Sequence, residues 1–211
     1  MKVNEIFFSI QGESSYAGFP CGFVRLAGCN LRCSYCDTTY AYEQGEEMTI
    51  GNVAEALTRF PANLVEITGG EPLLQPETGL LAATLADSGR TVLIETNGAL
   101  SIEGVDARAT VIMDIKCPGS GMSERMLWDN VALLKPRDEI KFVLTDRADY
   151  EWALGIIKRR RLDEKHVVHL APAFGILKPS SLAAWMLEDK MNVRLQLQLH
   201  KYIWPRVQRG V

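Results

Sequence analysis

Residues 64–75 read LVEITGGEPLLQ, an apolar, β-branched run that stops at a pair of glycines. The run Leu64–Thr68 has the length and composition of a buried strand, and Glu77–Ser88 beyond it repeats its apolar residues with helical spacing. The same order of strand and then helix recurs on both sides of this stretch. Such alternation favours a parallel sheet covered by helices, with polar loops gathered at the carboxyl ends of the strands.

The alternation extends over nearly the whole chain. Apolar runs predict strands over Val3–Ile10, Phe23–Ala27, Leu64–Thr68, Thr91–Glu95, Val111–Ile115, Ile140–Leu144, Val167–Leu170 and Val193–Leu199. Helical spacing predicts helices over Ile50–Phe60, Glu77–Ser88, Glu124–Leu134, Ala148–Arg160 and Ser180–Lys190. A complete eight-unit barrel takes about 250 residues, and this chain has 211. The sequence therefore predicts an α/β fold, an incomplete, divergent TIM-like (β/α) barrel with parallel strands, in a single domain over residues 1–211.

The last predicted strand, Val193–Leu199, alternates apolar and polar residues. This pattern predicts a strand that is half-buried or lines a polar cavity. His200 follows on the polar face.

Composition limits the partners of this chain. Hydrophobic residues make up 47% and charged residues 23%, and the formal net charge of −3 argues against general attraction to nucleic acid. The basic run at residues 158–161 fits a helix C-terminus, where cations meet the negative end of the helix dipole. No stretch approaches about 20 apolar residues, and the first residues lack a signal-peptide pattern. We expect a cytoplasmic protein with no nucleic-acid and no membrane partner.

Three of the five cysteines lie in the segment GCNLRCSYCD, residues 28–37. The spacing Cys-x3-Cys-x2-Cys directly after a predicted strand lets a short loop wrap Cys29, Cys33 and Cys36 around one metal centre. Thiolates select iron–sulfur clusters, zinc or cuprous ion. Structural zinc and saturated clusters take four protein ligands, so three thiols leave one coordination position open.

The two remaining cysteines leave an alternative open. Cys21 and Cys117 stand apart from the loop, and we expect both to be core or loop thiols. A structural zinc site completed by one of them, or by a histidine, would also explain the three clustered thiols.

The cysteine spacing resembles the signature of the radical S-adenosylmethionine (SAM) superfamily, in which three cysteines hold a 4Fe–4S cluster and the fourth iron chelates SAM. ITGGEPLL at residues 67–74 resembles the Gly-Gly-Glu-Pro element of that superfamily, which contacts the cofactor's amino group. Polar residues also end the strands in IETNG (94–98) and MDIKCPGSGM (113–122). The resemblance implies a radical SAM domain with its cluster loop at residues 29–36. It implies SAM contacts from Tyr35, Asp37, Gly70, Glu71, Glu95, Asn97, Asp114 and Lys116.

The segment before the cluster loop narrows the resemblance. EIFFSIQGESSYAGFPCGFVRLAGC (5–29), together with the CDTTY continuation, is similar to the 7-carboxy-7-deazaguanine synthase family, and the similarity covers essentially the whole chain. That family converts 6-carboxy-5,6,7,8-tetrahydropterin to 7-carboxy-7-deazaguanine with loss of ammonia, in the route to queuosine and related deazapurines. The resemblance implies a homodimer and an electron donor of the flavodoxin or ferredoxin kind.

The N-terminal segment carries the expected substrate contacts. A carboxylate such as Glu13 can accept two hydrogen bonds from an amino-pyrimidinone edge, and Arg25 offers a planar fork for a carboxylate. The alternative is that these two side chains pair with each other. The family resemblance implies substrate contacts from Ile10, Gln11, Gly12, Glu13, Arg25, Thr68 and His200.

The resemblance also implies a magnesium ion beside the substrate carboxylate, with the Thr38 hydroxyl as its protein ligand. Magnesium prefers oxygen ligands and keeps several waters, so one protein ligand is acceptable. Without the resemblance, Thr38 would be read as the cap of the helix that follows the cluster loop.

Two other functions stay open on the sequence. A glycyl-radical activating enzyme uses the same cofactor and a similarly small barrel, but Gln11, Glu13 and Arg25 argue against it. A zinc-stabilised binding module without catalysis would explain the cysteines alone.

Overall fold

The computed structural model describes residues 1–207 and 209–211, and its backbone is organised around one nine-stranded sheet. The strands are β1 (Lys2–Ile10), β2 (Pro20–Leu26), β3 (Glu46–Glu47), β4 (Leu64–Gly69), β5 (Thr91–Thr96), β6 (Thr110–Asp114), β7 (Glu139–Leu144), β8 (Val167–Pro172) and β9 (Arg194–Leu195). The helices are α1 (Ile50–Thr58), α2 (Thr78–Asp87), α3 (Asn130–Leu133), α4 (Arg147–Arg160), α5 (Pro179–Glu188) and α6 (Leu199–Ile203).

The strand order is β3-β1-β2-β4-β5-β6-β7-β8-β9. Strand β1 runs antiparallel to both of its neighbours, whereas each adjacent pair from β2 to β9 is parallel. In the described chain, β3 and β9 are the two edges and do not pair with each other, so the barrel is incomplete. This is the predicted α/β architecture.

The parallel strands alternate between an apolar outer face and a polar inner face. In β4, the buried side chains of Val65 and Ile67 pack in the same cluster as Leu57 of α1 and Leu81 of α2. Residues between them point to the other face because successive strand side chains alternate. There Glu66 and Thr68 line a cavity. The fold therefore places polar side chains on the concave side of the sheet.

The connection between β1 and β2 reaches across this concave side. The backbone N–H of Ser15 donates to Glu139 Oε2 of β7 at 2.9 Å, and the Arg194 guanidinium donates to Ser15 Oγ at 2.7 Å. Near the same turn, the backbone N–H of Leu199 donates to the Gly12 carbonyl at 3.1 Å. These bonds link the antiparallel end of the sheet to its far end.

Helix α4 follows the rules for helix ends. Asp146 caps its start by accepting from the backbone N–H of Asp149 at 2.9 Å. Lys158, Arg159 and Arg160 form its last turn, so the basic run does lie at a helix C-terminus.

Of the predicted strand over residues 193–199, only Arg194 and Leu195 are in a strand. Strand β9 ends at Leu195, and α6 begins at Leu199. Leu195 is 39% exposed whereas Gln196 is 5% exposed, the reverse of the expected alternation. Gln196 tolerates burial because its backbone N–H donates to Leu170 and its side chain donates to the Leu197 carbonyl.

The predicted helix over residues 124–134 is also too long. Only α3 and a single 3-10 turn at Ser123–Arg125 are helical. Met126 is extended, and the next backbone N–H, that of Leu127, donates to the Gly98 carbonyl at 3.0 Å. This tertiary bond replaces the helical one. No helix in the described residues is long and apolar enough to cross a membrane.

Candidate active site

A cavity of about 280 Å³ opens at the carboxyl ends of the parallel strands. All the side chains predicted to bind a metal, SAM or the substrate line this cavity, with the exception of Glu71. Residues that the sequence analysis did not select also line it, among them Glu66, Lys141, Lys201 and Val211.

The cluster loop is tied to the glycine pair after β4. The backbone N–H of Gly70 donates to Leu26, and that of Glu71 donates to Gly28 at 2.7 Å. A Cβ atom on Gly70 would overlap the Gly28 carbonyl and lie 2.9 Å from the Cβ of Cys29. Only glycine allows this close approach of the two loops.

Cys29, Cys33 and Cys36 are free thiols, half-buried on the cavity wall. Burial raises the pKa of the Cys29 and Cys33 thiols, and the nearby Lys116 ammonium opposes that rise. Within the part of the chain that is described, no three His, Cys, Asp or Glu side chains converge on a single metal ion. The three thiols share one cavity wall, as the ligands of a single cluster would.

Two buried polar atoms on the cavity wall have no hydrogen-bond partner among the described residues. They are the Tyr35 hydroxyl and Asp114 Oδ1. Buried polar groups are normally bonded, so these atoms point to a ligand that the cavity takes up. Asp114 Oδ2 pairs with the Lys116 ammonium at 2.7 Å. This wall therefore fits a polar, charged cofactor such as SAM.

Glu71 lies outside the cavity lining. Its carboxylate is fully buried and accepts from the backbone N–H groups of Leu73 and Asn97 and from the Thr96 hydroxyl. These three bonds turn it towards the protein, so the structure does not bring it to the expected cofactor position. The Asn97 side chain, in contrast, reaches the cluster loop by donating to Asn30 Oδ1 at 2.8 Å.

The Gln11 side chain links the turn that carries Glu13 to strand β4. Its amide donates to Glu66 Oε2 at 2.5 Å, and its Oε1 accepts from the backbone N–H of Glu13 at 3.1 Å. Burial raises the pKa of Glu66 to about 8, and the charge of Glu95 adds to this shift. A protonated carboxyl group therefore sits behind the turn at neutral pH.

Glu13 and Arg25 do not pair with each other. Glu13 accepts from Lys141 at 2.7 Å and from Gln198 at 3.0 Å. Arg25 donates through Nε to Glu5 at 2.7 Å, and Tyr40 donates to the same oxygen of Glu5 at 3.1 Å. Because Glu5 takes Nε and Arg25 lines the cavity, its two terminal nitrogens could serve a ligand there.

His200 sits at the start of α6 and not on a strand. A Cβ atom on Gly12 would overlap its imidazole ring, so the glycine lets this ring pack directly against the substrate turn. Burial lowers the pKa of His200. The imidazole is therefore neutral near pH 7.

Asp37 and Thr38 place two oxygen donors side by side at the cavity. The Thr38 hydroxyl donates to Asp37 Oδ1 at 2.9 Å and makes no helix-capping bond. Burial opposes ionisation of Asp37, but Lys201, 2.9 Å from Oδ2, outweighs it and lowers the pKa of this carboxyl group. The pair fits a hard cation that prefers oxygen ligands.

Sequence reasoning missed Glu5, Glu66, Lys141 and Lys201. Glu66 and Lys141 are charged residues with an apolar neighbour on each side, in β4 and β7. A charged residue inside a strand that is expected to be buried on both faces is a signal for a polar cavity. Glu5, which follows Asn4, and Lys201 carry no such signal.

Comparisons with known proteins agree with this site. The family model described as the radical SAM superfamily matches residues 24–111. The chain is 50% identical to 7-carboxy-7-deazaguanine synthase of Chlorobaculum tepidum, over 100% of this chain and 97% of the relative. It is 44% identical to that of Koribacter versatilis, over the full length of both. The crystal structure of QueE from Escherichia coli superposes with a TM-score of 0.75 at 25% identity, covering 93% of each chain.

Proposed function

This chain belongs to the 7-carboxy-7-deazaguanine synthase family of radical SAM enzymes, and on that premise we propose that it converts 6-carboxy-5,6,7,8-tetrahydropterin to 7-carboxy-7-deazaguanine with loss of ammonia. The reaction contracts the reduced pyrazine ring and belongs to the route to queuosine and other deazapurines. The comparisons do not favour a glycyl-radical activating enzyme or a zinc-stabilised binding module.

One observation carries the proposal. The three-cysteine loop and a set of groups suited to a carboxypterin, Glu13 and the terminal nitrogens of Arg25, line the same cavity. A substrate bound by Glu13 and Arg25 would therefore lie in the same cavity as a cluster held by the three cysteines.

Cys29, Cys33 and Cys36 would hold a 4Fe–4S cluster, which supplies the electron that cleaves SAM and so starts the radical chemistry. The chain's own residues bind and orient the two ligands. Tyr35, Asp37, Gly70, Glu95, Asn97, Asp114 and Lys116 would hold SAM. Glu71 would support this wall from behind by holding the backbone of Asn97.

The substrate would be bound at both ends, through its amino-pyrimidinone edge and through its carboxylate. Glu13 would accept from the amino-pyrimidinone edge, since each of its oxygens keeps a lone pair beside the bonds to Lys141 and Gln198. The Arg25 fork would bind the substrate carboxylate. Ile10, Gln11, Gly12, Thr68 and His200 would form the walls between these two ends.

We propose that the Thr38 hydroxyl is the protein ligand of a magnesium ion. The ion would add positive charge next to the substrate carboxylate. The family resemblance further supports a homodimer, a cytoplasmic location and electron transfer from a flavodoxin- or ferredoxin-like protein.

A turnover assay tests the proposed reaction. Anaerobically reconstituted protein is mixed with carboxytetrahydropterin, SAM, magnesium and a reductant, and 7-carboxy-7-deazaguanine is measured by its absorbance and mass. We expect product in the complete mixture and none when Cys33 is replaced by alanine. An intact, iron-loaded enzyme that forms no deazaguanine would overturn the proposal.

A further inference from the structure

Lys141 stands at the centre of an ion cluster on the inner face of β7. Its ammonium lies 2.7 Å from Glu13 Oε2, donates a short hydrogen bond to Glu95 Oε1 and lies 3.9 Å from Asp114 Oδ2. The Lys141 side chain is only 6% exposed. All four residues line the cavity described above.

The ammonium keeps its charge despite burial. Burial disfavours the charged form, but Glu13, Glu95 and Asp114 outweigh this effect and hold the pKa of Lys141 well above its ordinary value. Two of its three N–H donors go to Glu13 and Glu95, and the separation from Asp114 exceeds hydrogen-bond range. Lys141 is therefore a shared charge partner for two carboxylates.

These two carboxylates face different ligands in the proposed function. Glu13 also accepts from Gln198 on the substrate side, at 3.0 Å. Glu95 accepts from the Thr68 hydroxyl at 3.0 Å and lies on the wall assigned to SAM. A continuous series of bonds thus runs from Gln198 through Glu13, Lys141 and Glu95 to Thr68.

We propose that Lys141 is a positioning residue that couples binding of the pterin substrate to binding of SAM. The inference rests on the proposed function, because it takes Glu13 as a substrate contact and Glu95 as a cofactor contact. Whichever ligand binds first fixes its own carboxylate and, through the shared ammonium, orders the other. The free-energy cost of ordering the site of the second ligand is then smaller, so each ligand tightens the binding of the other.

Coupling of this kind makes SAM cleavage depend on the presence of bound substrate. If SAM is held in the position for cleavage only when the substrate is also bound, SAM is not cleaved without product being formed. Replacement of Lys141 by methionine keeps an unbranched side chain, one atom shorter, and removes the charge, leaving Glu13 and Glu95 to repel each other. We expect Lys141→Met to separate SAM cleavage from product formation.

Binding measured by calorimetry on reconstituted enzyme without reductant tests the coupling, because no turnover occurs. In the wild type, saturating carboxytetrahydropterin should tighten the Kd of SAM by about fivefold or more. In Lys141→Met, saturating carboxytetrahydropterin should change the Kd of SAM by about twofold or less. The control, Lys135→Met, loses an ion pair with Asp138 at 3.0 Å outside the cavity lining and should keep the wild-type factor.

A wild type without coupling overturns the inference, as does Lys141→Met with the wild-type factor. If Lys141→Met does not fold, Lys141→Arg replaces it. Arginine keeps the charge but presents a larger planar group, so we expect at most half of the wild-type factor. An unchanged factor in Lys141→Arg would equally contradict the inference.

A turnover readout separates this inference from the proposed function. Under reducing conditions, Lys141→Met should release free 5′-deoxyadenosine in at least fivefold higher ratio to product than the wild type. A wild type that neither binds nor converts the pterin removes the proposed function itself. A wild type that converts it, beside a Lys141→Met variant with unchanged ratio and coupling, removes only the role of Lys141.

Discussion

Arg25 shows how one side chain is prepared for a ligand. Its guanidinium carbon lies 5.4 Å from the centre of the Phe7 ring and 5.9 Å from that of Tyr40, and Glu5 accepts from its Nε at 2.7 Å. Burial of the guanidinium opposes its charge, but Tyr40 and Glu5 outweigh that effect and raise the pKa of Arg25. The Arg25 guanidinium is therefore charged and held in one orientation before a ligand binds.

Replacing Glu5 by glutamine should hold the Arg25 guanidinium less firmly in this orientation. The charge of the partner is lost while its size is kept, and hydrogen bonds to charged groups contribute about 1.5–3 kcal/mol. We expect the KM for the pterin to rise roughly tenfold with kcat nearly unchanged, since the contact serves binding. Steady-state kinetics measure both constants.

The matched control for this change is Glu151→Gln, which breaks a surface pair with Arg147 Nε at 2.9 Å. It should leave the KM unchanged. An equal KM in Glu5→Gln and the wild type would show that Arg25 needs no help from Glu5.

Glu66 predicts a pH dependence of stability. Its pKa is raised from 4.5 to about 8 in the folded state by burial and then by the charge of Glu95. The folded protein thus holds a proton that the unfolded chain releases, so stability is lost as pH rises from about 4.5 through about 8.

Glu66→Gln cannot ionise and avoids this loss. Its Tm should exceed that of the wild type by at least about 2–4 °C at pH 9, and by less at pH 5. The exposed Glu55→Gln is the control and should show no such trend. A Tm difference that is constant from pH 5 to pH 9 would contradict a neutral Glu66.

The residues of the cavity were predictable to the extent that motifs or chemistry pointed to them. Cys29 could be selected because of its spacing from the other two cysteines, whereas Glu13 and Arg25 were selected through the family resemblance of residues 5–29. Glu5 could not, because its role depends on pairing across β1 and β2, a tertiary contact that no local pattern encodes.

At the scale of elements, the cluster loop depends on its contact with the turn after β4. Backbone bonds from Gly70 and Glu71 to Leu26 and Gly28 hold the two loops together. The loop that presents the thiols is therefore shaped partly by a neighbouring strand.

Gly70→Ala tests this dependence. The added Cβ would meet the Gly28 backbone, which is not a flexible side-chain end and must move. We expect the iron content after reconstitution to fall at least severalfold, measured by metal and sulfide analysis. Gly104→Ala, where a Cβ meets nothing within 4 Å, should load iron normally. Full iron loading in Gly70→Ala would show that the loops adjust independently.

Elements with strong periodicity were predictable, and those decided by tertiary bonds were not. The central parallel strands follow their apolar runs closely. The chain after Leu195 leaves the sheet although its alternation continues, because Gln196 and α6 are held by contacts with Leu170 and Gly12. The two-residue strand β3 is too short and too charged to be recognised.

At the scale of the whole molecule, ligand binding should stabilise the fold. The cavity draws its walls from β1, β2 and β4 through β7, and from Ala173 just after β8, so a ligand there holds many elements together. A ligand at 100 times its Kd stabilises by about 2.7 kcal/mol. SAM should therefore raise the Tm of the reconstituted protein by roughly 5–10 °C.

The same SAM concentration should leave the Tm of Cys33→Ala nearly unchanged, because that variant loses a cluster ligand. Differential scanning calorimetry under anaerobic conditions makes the comparison. Equal stabilisation of both proteins would mean that SAM binds without the cluster.

The central claim is that three cysteines hold a cluster whose remaining iron takes SAM, inside a cavity that also takes the pterin. Electron paramagnetic resonance of the reduced protein, recorded with and without SAM, tests it most directly. We expect a reduced 4Fe–4S signal whose g values shift when SAM is added, and no such signal from Cys33→Ala. A cluster signal that is indifferent to SAM would contradict it.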